Sequence, residues 1–288
     1  MSEQITLVEC PRDAMQGWST FIPTAQKVEY LNKLLGVGFD VLDFGSFVSP
    51  KAIPQMADTK EVLPQLNLSD TSTKLLAIIA NTRGAEDAVA YEQISYLGFP
   101  FSISETFQLR NTNKTIKESL VQVEDIQNLC VRSGKKLVVY ISMGFGNPYG
   151  DKYNAEVAIE WVGKLTSLGI KTIAMSDTVG IAQPDTIDYV FRSLIPLFPE
   201  VSIGAHFHST SQTWEEKVSA AWASGCTRFD SALKGIGGCP MAEDKLVGNI
   251  ATENIVGWCD MNKIPVQLNR NALGEALAMA GRIFVKGS

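Results

Sequence analysis

The stretch KLVVYISM, residues 136–143, is an apolar run rich in β-branched residues, and the amphipathic stretch AEVAIEWVGKLTSL follows at residues 155–168. In the second stretch, Val157, Val162 and Leu165 recur at helical spacing, which predicts an α-helix. Gly169 ends this helix just before another apolar run, TIAMS, at residues 172–176. A strand, a helix and a further strand in this order are typical of a parallel sheet.

The same alternation extends along the whole chain. Short apolar runs occur at residues 5–10, 41–44, 74–80, 101–104, 136–143, 172–176, 201–208 and 228–233. Helical patterns lie between or after them at residues 24–37, 117–132, 155–168, 215–223 and 272–286, and glycines just before the next strand include Gly98, Gly169 and Gly225. About eight such repeats predict one (β/α)8 TIM barrel over residues 1–288. A doubly wound open sheet is the alternative, and it is disfavoured because no glycine fingerprint opens the first helix.

Composition sets the class of protein. The chain has 288 residues, of which 45% are hydrophobic and 19% charged, as in an ordinary globular protein. A formal net charge of −6 argues against a nucleic-acid partner, and no apolar stretch is long enough to predict a membrane span. Five cysteines without framework spacing indicate reduced thiols, and residues 1–5 show no targeting pattern, so we expect a cytoplasmic protein.

The only two histidines, His206 and His208, are two residues apart in a predicted strand. Residues at this spacing point to the same face of a strand, so both imidazoles would converge as a metal site requires. Two buried histidines that bond to the backbone are the alternative, which stays open until further ligands are found in register.

A TIM barrel predicts that chemically active residues follow the carboxyl ends of the strands. Polar residues occur at these positions after each of the eight runs: Arg12, Asp13, Asp43, Ser46, Asn81, Ser104, Glu105, Ser142, Ser176, Asp177, Thr178, His206, His208 and Asn249. Polar groups brought to one rim by independent strands are hard to explain as packing. The pattern therefore predicts an active site at this rim.

Several motifs together resemble the 3-hydroxy-3-methylglutaryl-CoA (HMG-CoA) lyase family, which belongs to a superfamily of metal-dependent TIM-barrel lyases and Claisen-type synthases. The motifs are VECPRDAMQ (8–16), SFVSPK (46–51), PQM (54–56), HFH (206–208), GGCP (237–240) and GNIATE (248–253). The resemblance implies a divalent cation, Mg²⁺ or Mn²⁺, held by Asp13, His206, His208 and Asn249, and two histidines also suit Zn²⁺. A helix N-cap is the alternative role for Asn249.

The resemblance also implies a catalytic set of Arg12, Asp13, Asp43 and Cys239. Arg12 would stabilise the developing enolate oxygen, with a simple salt bridge to Asp13 or Asp43 as the alternative. Asp43 stands where the family carries a glutamate, and it would orient Arg12 or support it from behind. Cys239 would protonate the enolate carbon, with a packed loop cysteine as the alternative.

The implied reaction is cleavage of HMG-CoA to acetyl-CoA and acetoacetate, with an acyl-CoA as the ligand and a homodimer or homotetramer as the assembly. A related metal-dependent aldolase or a Claisen-type condensing enzyme, acting on a 2-oxoacid or another acyl-CoA, is the alternative activity. A barrel kept only as a binding scaffold is disfavoured, because Arg12, Asp13, His206, His208 and Cys239 are all present.

Overall fold

Eight parallel strands close into a barrel in which each strand pairs with its neighbours in sequence and β1 pairs with β8. The computed structural model describes residues 4–238 and 247–285. The strands are β1 (Thr6–Glu9), β2 (Val41–Ser46), β3 (Lys74–Ile78), β4 (Ile94–Ser102), β5 (Lys136–Ser142), β6 (Thr172–Asp177), β7 (Ser202–Phe207) and β8 (Arg228–Ser231). The TIM barrel predicted from the alternation of strands and helices is confirmed.

Helices follow the strands, and most of them cover the outside of the barrel. They are α1 (Pro11–Gln16), α2 (Thr24–Val37), α3 (Thr59–Val62), α4 (Thr82–Val89), α5 (Glu105–Thr112), α6 (Ile116–Arg132), α7 (Ala155–Ser167), α8 (Pro184–Leu197), α9 (Trp214–Ala223), α10 (Thr252–Met261) and α11 (Arg270–Ile283). Five of them, α2, α6, α7, α9 and α11, correspond to predicted helices. Within the described ranges, no helix has the length and apolar character to cross a membrane.

The fourth strand differs from its prediction. The sequence predicts a strand at residues 101–104 that a glycine, Gly98, precedes, whereas β4 begins at Ile94 and contains Gly98. A Cβ atom at position 98 would lie 2.5 Å from Cδ1 of Ile78, so the glycine allows close packing inside the barrel rather than ending a helix.

Side chains that alternate along the strands divide the interior into two cores. A small cluster fills the barrel lumen and consists of Val8, Cys10, Val41, Leu76, Ile78, Val138, Tyr140 and Ala174. A much larger core lies between the strands and the helices. The lumen therefore forms the floor beneath the rim where the predicted site residues lie.

The lumen also holds a buried arginine. Arg228 of β8 is 5% exposed, and a Cβ atom on Gly204 of β7 would lie 2.8 Å from both Cγ and Cδ of its side chain. The absence of a side chain at Gly204 thus leaves the space that the side chain of Arg228 occupies.

Candidate active site

The rim brings the predicted site residues of the described ranges together. Arg12 and Asp13 lie in α1, immediately beyond β1, and His206 lies in β7 with His208 directly after it. Asp43 and Ser46, which the sequence places at the end of the second strand, both lie within β2, which runs two residues further than predicted and so includes Ser46. Cys239 lies outside the described residues.

Asp13, His206 and His208 form a potential metal site. One ligand atom from each of them lies within 4.8 Å of the other two, and all three residues are buried or nearly so. Nδ1 of His208 lies 2.9 Å from the carbonyl oxygen of Thr178, to which it donates, so Nε2 is left with a free lone pair. This Nε2 is buried and has no hydrogen-bond partner among the described residues, unlike a satisfied core histidine. One carboxylate and two imidazoles fit Mg²⁺, Mn²⁺ or Zn²⁺.

The two histidines have different electrostatic surroundings. Burial disfavours the imidazolium form and lowers the pKa of His208. Burial acts on His206 in the same direction, but the hydrogen bond and negative charge of Asp230 outweigh it and raise the pKa of His206. Burial alone would raise the pKa of Asp13, yet Arg12 and the two histidines reverse this effect and lower it. Asp13 is therefore a carboxylate, ready to bind a cation.

Asn249 reaches the cluster from beyond β8. Its Nδ2 donates to Oδ2 of Asp13 at 2.6 Å and to the carbonyl oxygen of Ile236 at 2.9 Å. Helix α10 begins at Thr252 with Ala251 as its N-cap residue, so the alternative role of Asn249 as a helix cap is wrong. Its role as a ligand stays a prediction.

Arg12 is held on both sides. Its Nε and Nη2 donate to Oδ2 of Asp43 at 3.0 and 2.5 Å, and its Nη1 donates to Oδ1 of Asp13 at 3.1 Å. Nη1 also donates to the Gln16 side chain at 2.9 Å. The salt bridges named as an alternative role are thus both present, and they fix the guanidinium at the edge of the cluster. Such ion pairs are compatible with a catalytic role because they orient the charge.

Lys217 of α9 supports the histidine strand from behind. Its Nζ donates to Oδ2 of Asp177 at 2.6 Å, to the carbonyl oxygen of Gly180 at 2.9 Å and to that of His208 at 3.0 Å. The Asp177 carboxylate also accepts the backbone N–H groups of Ile181 and Ala182. This buried network ties the end of β7 to the loop after β6 and so fixes the position of His208.

Glu9 of β1 forms hydrogen bonds with Leu233 and Thr252, which precede and follow Cys239 in the sequence. Its Oε1 accepts the N–H of Leu233 at 2.9 Å, and its Oε2 lies 2.5 Å from the hydroxyl of Thr252. Complete burial raises the pKa of Glu9 to about 8, although both hydrogen bonds act to lower it.

A cavity of about 260 Å³ opens above the cluster. Its lining includes the polar residues Arg12, Asp13, His206 and His208, and much of the rest is apolar, with Val48, Ile53, Ile78, Pro100, Phe107 and Tyr140. An apolar cavity with a few converging polar groups is typical of a small-molecule site.

Two of the predicted rim residues serve local structure instead. The side chain of Asn81 accepts the N–H of Gly84 at 2.9 Å and caps α4. The hydroxyl of Ser104 accepts the N–H of Phe107 at 3.2 Å and caps α5. A polar residue directly before a helix is a common N-cap, so strand-end position alone does not separate these two roles.

Sequence reasoning missed Lys217 and Asp230. Asp230 and Arg228 are two residues apart in β8, and polar residues at this spacing in an otherwise apolar run indicate an inward-facing polar pair. Lys217 lies on a helix, and no sequence signal separates it from a solvated lysine.

Comparison with known proteins is consistent with this geometry. A family model described as HMGL-like matches residues 5–279. The hydroxymethylglutaryl-CoA lyase YngG of Bacillus subtilis is 32% identical, with 95% of this chain and 91% of the relative covered. The (R)-citramalyl-CoA lyase of Chloroflexus aurantiacus is 31% identical, with 94% of this chain and 88% of the relative covered.

The fold agrees with that of a solved relative. An HMG-CoA lyase from Acinetobacter baumannii, determined in complex with coenzyme A and 3-methylmalate, superposes with a TM-score of 0.91 at 31% identity. The superposition covers 98% of this chain and 92% of the other. The resemblance inferred from the motifs is thereby confirmed, and the chain belongs to the HMGL-like family.

Proposed function

We propose that this protein is a divalent-metal-dependent carbon–carbon lyase that cleaves HMG-CoA to acetyl-CoA and acetoacetate. The observation that carries the proposal is the cluster of Asp13, His206 and His208, with an unpartnered Nε2 on His208, beneath a cavity with an apolar side. The choice of HMG-CoA as the substrate rests on the relatives that are named HMG-CoA lyases.

Cleavage of a tertiary 3-hydroxyacyl thioester requires loss of the hydroxyl proton and stabilisation of the enolate left on the thioester fragment. A divalent cation held by Asp13, His206, His208 and Asn249 would supply Lewis acidity toward the hydroxyl oxygen. The buried carboxylate of Asp13 offsets the positive charge at this point, and the apolar wall of the cavity excludes water.

Arg12 is the group placed to stabilise the enolate oxygen. Its guanidinium lines the cavity and is already held by Asp43 and Asp13, so no reorganisation is needed when negative charge develops. Asp43 acts through Arg12 as a positioning residue. The side chain of Asp43 is shorter than that of the glutamate the family carries here, and the guanidinium of Arg12 contacts it at the mouth of the barrel.

The backbone just before Cys239 approaches the cluster closely. A Cβ atom at Gly237 would lie 2.4 Å from Nδ2 of Asn249 and 2.8 Å from Oδ2 of Asp13, so only a glycine fits there. Cys239 itself lies two positions further along, outside the described residues. The resemblance of the GGCP motif at residues 237–240 to HMG-CoA lyases supports Cys239 as the acid that protonates the enolate carbon.

A second substrate is favoured by one relative, the (R)-citramalyl-CoA lyase. Citramalyl-CoA carries the same tertiary hydroxyl and methyl group, but its carboxylate is one methylene closer, and its cleavage gives pyruvate instead of acetoacetate. One methylene in a pocket changes the specificity ratio by roughly 10- to 200-fold. The two substrates are therefore distinguished by the relative kcat/KM values.

The test is turnover of both thioesters by the purified protein with Mg²⁺, with Mn²⁺ and with a chelator, scoring acetoacetate and pyruvate separately. We expect metal-dependent acetoacetate release, abolished in His208→Ala. Pyruvate alone would reassign the substrate, and condensation of acetyl-CoA with a 2-oxoacid would reassign the reaction. Full acetoacetate release in the presence of chelator, or by His208→Ala, would overturn the metal site.

A further inference from the structure

We propose that Asp230 is a positioning residue that fixes His206 with Nδ1 protonated and Nε2 directed to the cation site, and that its charge strengthens the hold of that site on the cation. The proposal rests on the proposed metal-dependent function. Nothing in the reaction as derived above requires Asp230, which lies beneath the site rather than in the cavity.

The register of the barrel places Asp230 beside His206. The two residues are direct partners in the β7–β8 ladder, and Oδ2 of Asp230 lies 3.2 Å from Nδ1 of His206. Asp230 is 3% exposed. Since a carboxylate only accepts hydrogen bonds, Nδ1 must be the protonated nitrogen, and the lone pair of the neutral imidazole is on Nε2.

The imidazole of His206 is held in one orientation by its neighbours. The ring of Tyr140 meets it edge to face, with 5.6 Å between centroids, and the ring of His208 does so at 5.4 Å. Rotation of the His206 ring would break the bond to Asp230 and both ring contacts. The bond to Asp230 therefore selects which nitrogen faces Asp13.

The other oxygen of Asp230 is not accounted for by local hydrogen bonding. Its Oδ1 is buried and has no hydrogen-bond partner within the described ranges. A buried, half-satisfied carboxylate costs the fold stability, which points to a role other than stability. Orienting a metal ligand is such a role, and the negative charge acts across one imidazole ring on the cation.

His208 provides an internal comparison. Its Nδ1 donates to the neutral carbonyl oxygen of Thr178, whereas Nδ1 of His206 faces a charged carboxylate. Both bonds select the same tautomer, but only the second adds negative charge. Removal of Asp230 should therefore change His206 and leave His208 as it is.

The first experiment uses the metal-free protein. Because the chain has only two histidines, ¹⁵N-histidine labelling gives two imidazoles, which His206→Gln and His208→Gln assign. At a pH where both rings are neutral, we expect both to carry the proton on Nδ1 in the wild type. In Asp230→Ala, His206 alone should become a mixture of tautomers. An unchanged His206 tautomer in Asp230→Ala would overturn the positioning role.

The second experiment measures Mn²⁺ affinity from the paramagnetic resonance signal of free Mn²⁺. Loss of such a supporting residue typically costs about 10- to 100-fold in metal affinity, which we expect for Asp230→Ala. Asp230→Asn keeps an acceptor for Nδ1 but loses the charge, so it should retain the tautomer and lose several-fold in affinity. Asp230→Asn also tests the effect on Mn²⁺ affinity if Asp230→Ala does not fold.

Cys10→Ala is the matched control. The Cys10 thiol lies in the same lumen layer, and Cys10, His206 and Asp230 have ligand atoms within 4.8 Å of one another. We expect this variant to keep both tautomers and the Mn²⁺ affinity. An equal loss of affinity in Cys10→Ala would attribute the effect to lumen packing and overturn the proposal. Absence of Mn²⁺ binding by the wild type, with the tautomers as expected, would reject the metal-dependent function separately.

Discussion

Arg12 and Asp43 form a buried ion pair in which Nη2 of the arginine lies 2.5 Å from Oδ2 of the aspartate. The pair joins α1 to β2 and fixes the guanidinium at the cavity edge. In Asp43→Asn the arginine keeps Asp13 and Gln16 as partners but loses its charged anchor. We expect kcat to fall by about 10- to 100-fold, with a smaller change in KM, in steady-state kinetics. Asp43→Glu is the control, and unchanged kcat in Asp43→Asn would contradict the positioning role.

Substitution of Lys217 tests the network behind the histidine strand. Lys217→Met leaves the carboxylate of Asp177 buried without its ammonium partner, so we expect the free energy of unfolding to fall by about 3–5 kcal/mol in urea titrations. Lys164→Met, which breaks the exposed pair with Glu160, is the control and should have no measurable effect. Equal stability of the two variants would mean that the buried pair does not anchor β7.

Glu9 gives a pH dependence of stability. Its pKa of about 8 in the fold exceeds the usual 4.5, so between these pH values the native state keeps a proton that the unfolded state has released. Stability should therefore fall as pH rises from about 4.5 to 8, by up to about 1.4 kcal/mol per pH unit from this residue. Glu9→Gln should lose less stability over this range. Parallel curves for both proteins at pH 5, 6.5 and 8 would contradict the assignment.

Cys239→Ser tests the proposed acid. A hydroxyl is a much weaker acid than a thiol, and we expect turnover to fall by about 100-fold or more, the usual effect of losing a general acid. Thermal unfolding and Mn²⁺ affinity should match the wild type, because the proposed cation ligands are elsewhere. Turnover within threefold of the wild type would remove Cys239 from the mechanism.

Local periodicity was sufficient to predict most of the barrel, including the bounds of α2 at Thr24–Val37. It failed at β4 because Gly98 and Pro100 interrupt the apolar pattern, although both positions pair with β5 in the closed sheet. Barrel closure overrides the local preference of these residues. A single-strand pattern does not contain that information.

Part of the candidate site was predictable because one residue type at one spacing indicates one kind of site. His206 and His208, two residues apart in a predicted strand, indicate a metal site. The supporting residues were not, since the importance of Asp230 and Lys217 depends on which strand or helix is adjacent in space. Asn249 shows the same limit in reverse, because its position before α10 imitates a helix cap. The start of α10 at Thr252, with Ala251 as its N-cap residue, excludes the cap, and the amide of Asn249 instead contacts Asp13.

The hydrogen bond between Asn249 and Asp13 joins residues 236 positions apart in sequence. During synthesis, the first of the proposed ligands leaves the ribosome long before the last. The full ligand set exists only after β8 has paired with β1, so cation affinity would report completion of the barrel. A chain cut just before residue 249 would retain all eight strands but lack the full ligand set, so such incomplete products would remain catalytically silent.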